Sequence, residues 1–194
     1  MALLLDLIGS SLIGGLLVLQ LLNMSLFMQN ASYKSDNELK LQQNAKTLAE
    51  IVNHDFRKIG YKYDNTAVLV AEQKKIKFIG DLEAPGETGS GIVDTVEYFV
   101  LDSTHATSTS NPRDIVLVRV VNNKDSIAGP TLGLVNVKFS YLDSVYTPTA
   151  VLSKIKYIKT ELWVEPSEVT NDFVTGTKDS TFTYWEFTIN PRNI

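Results

Sequence analysis

Between Met1 and Met28 the chain carries one charged residue, Asp6, and the next charge is Lys34. The uncharged run Leu7–Met28 covers about 22 residues. At a helical rise of about 1.5 Å per residue it reaches roughly 33 Å, enough to cross the hydrocarbon core of a bilayer. A surface so uniformly apolar must lie in lipid or against other apolar surface. A secretory signal peptide fits poorly: the n-region has no basic residue, the apolar stretch exceeds the usual length, and no small-residue cleavage site precedes a polar start. A single membrane span fits well. The mean hydropathy of −0.01 conceals this segment, because polar residues elsewhere offset it.

Two features go beyond a plain span. Asp6 lies inside the apolar stretch, where a lone carboxylate costs about 2.5–3.5 kcal/mol and calls for a partner. The nearest cation is an α-amino group, largely protonated at neutral pH and about one turn away; it can come from the same chain or from a neighbouring copy. The second feature is the set of small residues Gly9, Ser10, Ser11, Gly14 and Gly15. Glycine weakens a helix and lets another backbone approach. Ordinary membrane-helix packing would account for them; the sharper reading is a helix made to pack against copies of itself, with a local stretch that can loosen.

Past the span the pattern turns one-sided. Leu41, Ala45, Leu48, Val52, Phe56 and Ile59 recur at steps of three and four, with Lys40, Glu50, Asn53, Arg57 and Lys58 on other faces. No proline occurs between Met1 and Ile59, so one helix is predicted to run to about Ile59 and stop at Gly60. The rest reads as strands: Thr66–Ala71, Lys75–Ile79, Ile92–Leu101, Asp114–Val121, Leu134–Tyr141, Val151–Val164 and Thr181–Ile189. Asp114–Val121 is nearly continuous apolar and reads as buried on both faces. In Leu134–Tyr141, Val135, Val137, Phe139 and Tyr141 alternate with polar residues. The fold class is α+β, a long helix whose amphipathic half packs against an antiparallel sheet. Residues 1–30 form the hydrophobic helix and 31–194 a globular head, which begins with the amphipathic half-helix 31–60.

Composition then excludes function classes. The 194 residues include 18 basic and 22 acidic ones, a net charge of −4 that argues against nucleic-acid binding. There is no cysteine, which removes disulfides, thiolate metal sites and a cysteine nucleophile. Gly89-Ser90-Gly91 is not a nucleophile elbow, and no glycine-rich phosphate loop occurs. His54 and the adjacent Asp55 are expected on diverging helix faces, and Asp55 with Arg57 and Lys58 in weak surface pairs. His105 is expected in a solvated Ser/Thr loop without an acidic partner. Calcium ligands could come from Asp81, Glu83, Glu87 and Asp94, or from Asp172 and Asp179, but the spacing does not match an EF-hand. Asn23 and Asn30 match the glycosylation pattern, Asn23 inside the span and Asn30 at its boundary. Tyr141, Tyr146, Tyr157, Trp163, Tyr184 and Trp185 are expected to divide between core and sheet surface. No catalytic residue, cofactor or metal is expected.

This organisation resembles the type IV pilin superfamily, including the pseudopilins of type II secretion systems. Leu48–Tyr61, LAEIVNHDFRKIGY, is similar to a segment of W-type minor pilins and J-type pseudopilins with an acidic residue, a basic pair and Gly-Tyr. Val137–Asp143, VKFSYLD, and Ile155–Val164, IKYIKTELWV, are similar to two strands of the same families. The resemblance implies a membrane helix that becomes the core of an extracellular filament, copies of the chain as partners, and an inner-membrane assembly machine. It also implies that Asp6 pairs with a neighbour's amino terminus, and that Gly14 and Gly15 fall where family helices unwind. Family precursors carry a basic leader ending in Gly, then usually Phe, then a Glu four residues on. Here no leader is seen, and Asp6 takes the Glu's place if Ala2 is the first mature residue; the chain reads as already processed or as unorthodox at its amino terminus. The expected function is that of a filament subunit. The alternatives are a minor pseudopilin and a monomeric membrane-anchored β-domain that binds an extracellular ligand.

Overall fold

The computed structural model describes residues 2–82, 93–107, 109–128, 132–166 and 182–194. The helix α1 runs unbroken over Ala2–Phe56, 55 residues. Eight strands follow: β1 (Val68–Glu72), β2 (Lys75–Gly80), β3 (Asp94–Leu101), β4 (Val116–Val121), β5 (Asp125–Ala128), β6 (Leu134–Leu142), β7 (Tyr157–Val164) and β8 (Thr183–Ile189). The chain divides into two compact units, Met1–Leu39 and Lys40–Ile194.

The first unit is helix alone. Its large apolar side chains, from Leu4 and Leu7 to Phe27 and Met28, are exposed on every side. The helix is long and apolar enough to cross a membrane by length and composition.

In the second unit the strands form two antiparallel sheets, β1-β2-β3-β4-β5 and β6-β7-β8. The single sheet expected from sequence is therefore two, and both close on the same helical stripe. Leu41, Ala45, Leu48, Ala49, Val52 and Phe56 are all buried. Phe56 joins the two sheets: its ring meets Phe78 of β2 and Tyr98 of β3 at 5.7 and 5.8 Å, both edge-on, and Phe139 of β6 at 5.7 Å. Aromatic pairs at such separations add about 0.5–1.5 kcal/mol each beyond the area they bury. Hydrogen bonds bring the sheets together at one margin, where the Phe139 amide donates to Gln73 O at 2.8 Å. There the Tyr141 hydroxyl donates to Glu72 O at 2.9 Å.

Several boundaries depart from the sequence reading. α1 ends at Phe56 rather than Ile59, and Arg57–Lys62 forms turns in which Gly60 adopts φ +76°. Gly60 N donates to Ile79 O at 2.9 Å, and Asp81 N to Tyr61 O at 3.1 Å, so the turn lies against the end of β2. A side chain at Gly80 would strike Lys58 O, and one at Gly60 would strike Asn193 O. Glycine permits both approaches, and at Gly60 it also relieves the left-handed backbone. The predicted strand Val151–Val164 begins instead with a 3-10 turn at Leu152–Lys154 and becomes β7 at Tyr157. Strand β5 was not expected; two consecutive left-handed residues, Asn122 and Asn123, turn the chain into it. Strand β4 does have apolar contacts on both faces, but unequally. Val116 and Val118 are buried in a small cluster with Ala106, while Leu117 only partly buries itself against the main core.

Candidate functional site

In the helical unit the residues singled out from sequence lie on an uncovered surface. Asp6 is exposed and has no partner among the described residues. A methyl group added at Gly9, Gly14 or Gly15 would meet nothing within 4 Å, so nothing in the chain's own packing requires glycine there. Ser10 Oγ donates to Leu7 O at 3.1 Å and Ser11 Oγ to Ile8 O at 3.0 Å. Both hydroxyls are thereby satisfied within the helix, which is what a non-aqueous surrounding demands of a polar group. Asn30 is half-buried, and Asn23 is exposed within the apolar stretch.

In the head, the functional-looking chemistry sits where the sequence reading expected weak surface pairs. Asp55, on the last turn of α1, is 3% exposed. Its Oδ2 accepts from the Tyr98 hydroxyl at 2.6 Å and from Arg119 Nε at 2.5 Å. His54 Nδ1 lies 3.3 Å from its Oδ1, so the two neighbours do meet rather than diverge. Burial, reinforced by the Asp55 carboxylate, pushes the Tyr98 hydroxyl well above the ordinary phenol range. The carboxylate is held by a phenol, a guanidinium and an imidazole, and it fastens α1 to β3 and β4. The signal for it lay in the sequence: Asp55 falls on the apolar helical stripe, and Arg119 stands alone inside the run IVLVRVV. A lone charge in each of two apolar runs, of opposite sign, reads as a buried pair.

Other predicted residues are scattered. His105 does have an acidic neighbour, since its Nδ1 is 3.0 Å from Asp102 Oδ1 in an exposed turn. The Thr104 hydroxyl, followed by His105, holds the Asp102 carboxyl below its usual range. Asp81 is buried on Lys62 Nζ at 2.7 Å, and Asp94 accepts from Asn122 at 2.7 Å and from the Leu82 amide at 3.1 Å. Glu83, Glu87, Asp172 and Asp179 lie outside the described residues. Among the described residues no three His, Asp or Glu side chains come close enough to hold a metal. Of the six aromatics named from sequence, only Tyr141 is in the core. Tyr157 and Trp163 are half-buried, and Tyr146, Tyr184 and Trp185 are exposed. Tyr146 stacks on Tyr157 at 4.2 Å, and Trp163 meets Tyr184 at 5.1 Å.

One buried group was missed from sequence and has no evident purpose in the core. Asp114 is fully enclosed, and neither carboxylate oxygen has a hydrogen-bond partner among the described residues. Burial raises its affinity for a proton and the nearby Glu165 charge adds to that, against a lowering by Thr109. Glu165 itself is tied to Arg113 at 2.7 Å.

No protein-family model matches the sequence, and no curated protein matches it. The fold, by contrast, has a solved counterpart. A type IV-like pilin from Thermus thermophilus superposes with a TM-score of 0.50 at 13% identity, over 79% of this chain and 97% of that one. The chain therefore has a type IV pilin-like fold: one long amino-terminal helix followed by antiparallel sheets. The finer similarity to W-type and J-type members goes beyond what that superposition carries.

Proposed function

We propose that this chain is a structural subunit of an extracellular, type IV pilus-like filament, built by bundling of its amino-terminal helices. The observation that carries the reading is the uncovered helix: a head of pilin-like fold buries the stripe from Leu41 to Phe56, while Leu7–Met28 stays apolar and exposed on all sides. Before assembly that stretch sits in the inner membrane; after assembly it lies among identical stretches in the filament core. Moving it from lipid into a bundle gains little hydrophobic energy, so close packing and polar pairing must select the arrangement. Asp6 supplies the pairing by accepting the amino terminus of a neighbouring copy, and Gly9, Gly14 and Gly15 supply the close approach and the local loosening. An ATPase-driven inner-membrane machine extracts and stacks the subunits. The role is structural, with no catalytic step.

Electron microscopy of cell-surface material tests this directly, with filaments containing the chain as the expected result. In the Asp6→Ala variant, filaments are lost or sparse while the protein still reaches the membrane. Wild-type filament yield from that variant would remove the pairing role. Native material that stays as single molecules under every condition would replace the filament reading with an anchored β-domain that binds an extracellular ligand.

A further inference from the structure

The head surface carries a cleft of about 650 Å³ between the last turns of α1 and the end of β8, lined by Asn53, Arg57, Phe187, Ile189, Asn190 and Arg192. Six acidic side chains of the head are committed elsewhere: Asp55 to Arg119, Asp81 to Lys62, Glu97 to Lys75 and Lys77, Glu165 to Arg113, and Glu161 and Glu186 to Lys159. Neither Arg57 nor Arg192 has a carboxylate partner among the described residues. Asn53 Oδ1 accepts from Arg57 Nε at 3.0 Å, which orients the guanidinium and leaves its two terminal amino groups for a bidentate acceptor. The half-buried Phe187 gives the cleft an apolar element. β8 is the last strand of its sheet, so the side away from β7 has no strand covering it among the described residues.

We propose that this cleft receives α1 of a second copy, at Asp36 and Glu38. The inference rests on the filament reading and names one of its contacts. Both carboxylates are exposed on α1. Two residues apart on a helix, they project about 200° from one another, onto opposite flanks. A helix lying along the cleft therefore offers one carboxylate to Arg57, on the α1 wall, and the other to Arg192, on the tail wall. Part of each ion pair is shielded from water by the helix above it, which makes it worth more than an exposed surface pair.

The chain has no cysteine, so a designed disulfide reports this contact without background. Residues 37 and 53 are about four helical turns apart along α1, too far to bridge within a chain. Full-length Asn37→Cys/Asn53→Cys is therefore expected to give a ladder of cross-linked dimers and higher multimers on oxidation of assembled material, and neither single variant should give multimers. In parallel, Arg57→Glu/Arg192→Glu and Asp36→Arg/Glu38→Arg are each expected to lose filaments, and the fourfold combination to recover them. Cross-linking together with recovery supports the contact. Filaments at wild-type yield from either charge-reversed pair, failure of the combination to recover, or absence of the ladder overturns it and leaves the filament reading standing. If the wild type forms no filament under any condition, the filament reading fails and takes this inference with it.

Discussion

One helix here meets two fates. Over Leu41–Phe56 its apolar stripe is closed in by two sheets of its own chain: Leu41 is 3% exposed and Val52 is 0%. Over Leu7–Met28 its apolar residues find nothing among the described residues to cover them, and Leu16 and Leu21 are 59% and 67% exposed. Helical geometry is the same in both lengths; patterning differs. A one-sided stripe can be satisfied by a sheet on that side, whereas a helix apolar all round must be surrounded. The head therefore holds its own stabilising contacts, and the stem depends on lipid or on other copies. Each of the following measurements, made on the full chain in detergent, either sharpens that division or breaks it.

The largest effect is expected from Phe56→Ala, which empties the junction where β2, β3 and β6 meet the helix. A loss of about 4 kcal/mol of head stability follows from the cavity and the lost ring contacts, read by denaturant unfolding followed by circular dichroism. A loss below about 1 kcal/mol would show that the sheets hold together without the helix. Next is Asp55→Ala, which leaves Tyr98 and Arg119 without their common acceptor. It is expected to cost about 3 kcal/mol, and Arg119→Met/Asp55→Leu should recover much of it, because an apolar pair leaves no orphaned charge.

Asp114→Asn is smaller and opposite in sign, a gain of about 1 kcal/mol at neutral pH. The folded-state affinity of Asp114 for a proton is raised above its unfolded one, so its proton favours the folded state at low pH. That contribution is lost as pH rises through the raised folded value. The variant and the wild type should thus unfold alike in acid and separate toward neutrality; a gap that widens in acid instead would contradict the assignment. The smallest expected effect is Leu16→Ala, which should change head stability by less than about 0.5 kcal/mol. A head destabilised by that change would mean that the two lengths of α1 are not energetically separate.

How much of this was legible depends on whether the information was local. The stripe Leu41, Ala45, Leu48, Val52, Phe56 could be read in full, because helical period and burial coincide. Alternation likewise marked β6. The division of the strands into two sheets was not legible, since it is set by which residues meet across long separations, as when the Phe139 amide finds Gln73 O. Strand β5 is too short for its period to show, and only the Asn122-Asn123 pair announced it. For the candidate site, Asp6 and the stem glycines stand out in sequence because their surroundings are uniform. Asp55 was hidden by its neighbours: Arg57 and Lys58 suggested a local pair, while its partner Arg119 lies 64 positions away.

The position of Ile189 has a consequence for how the molecule is made. This residue is buried in the core that contains Leu41, Val52 and Phe56, and it arrives on the last strand. Synthesis runs from the amino terminus, so the stem has left the ribosome long before the head can close. Until β8 emerges, the stripe from Leu41 to Phe56 has only part of its cover, and the pairings that complete it are among the most distant in the chain, which makes closure slow. A newly made chain therefore passes through an interval in which the head is partly open and its apolar stripe is prone to association.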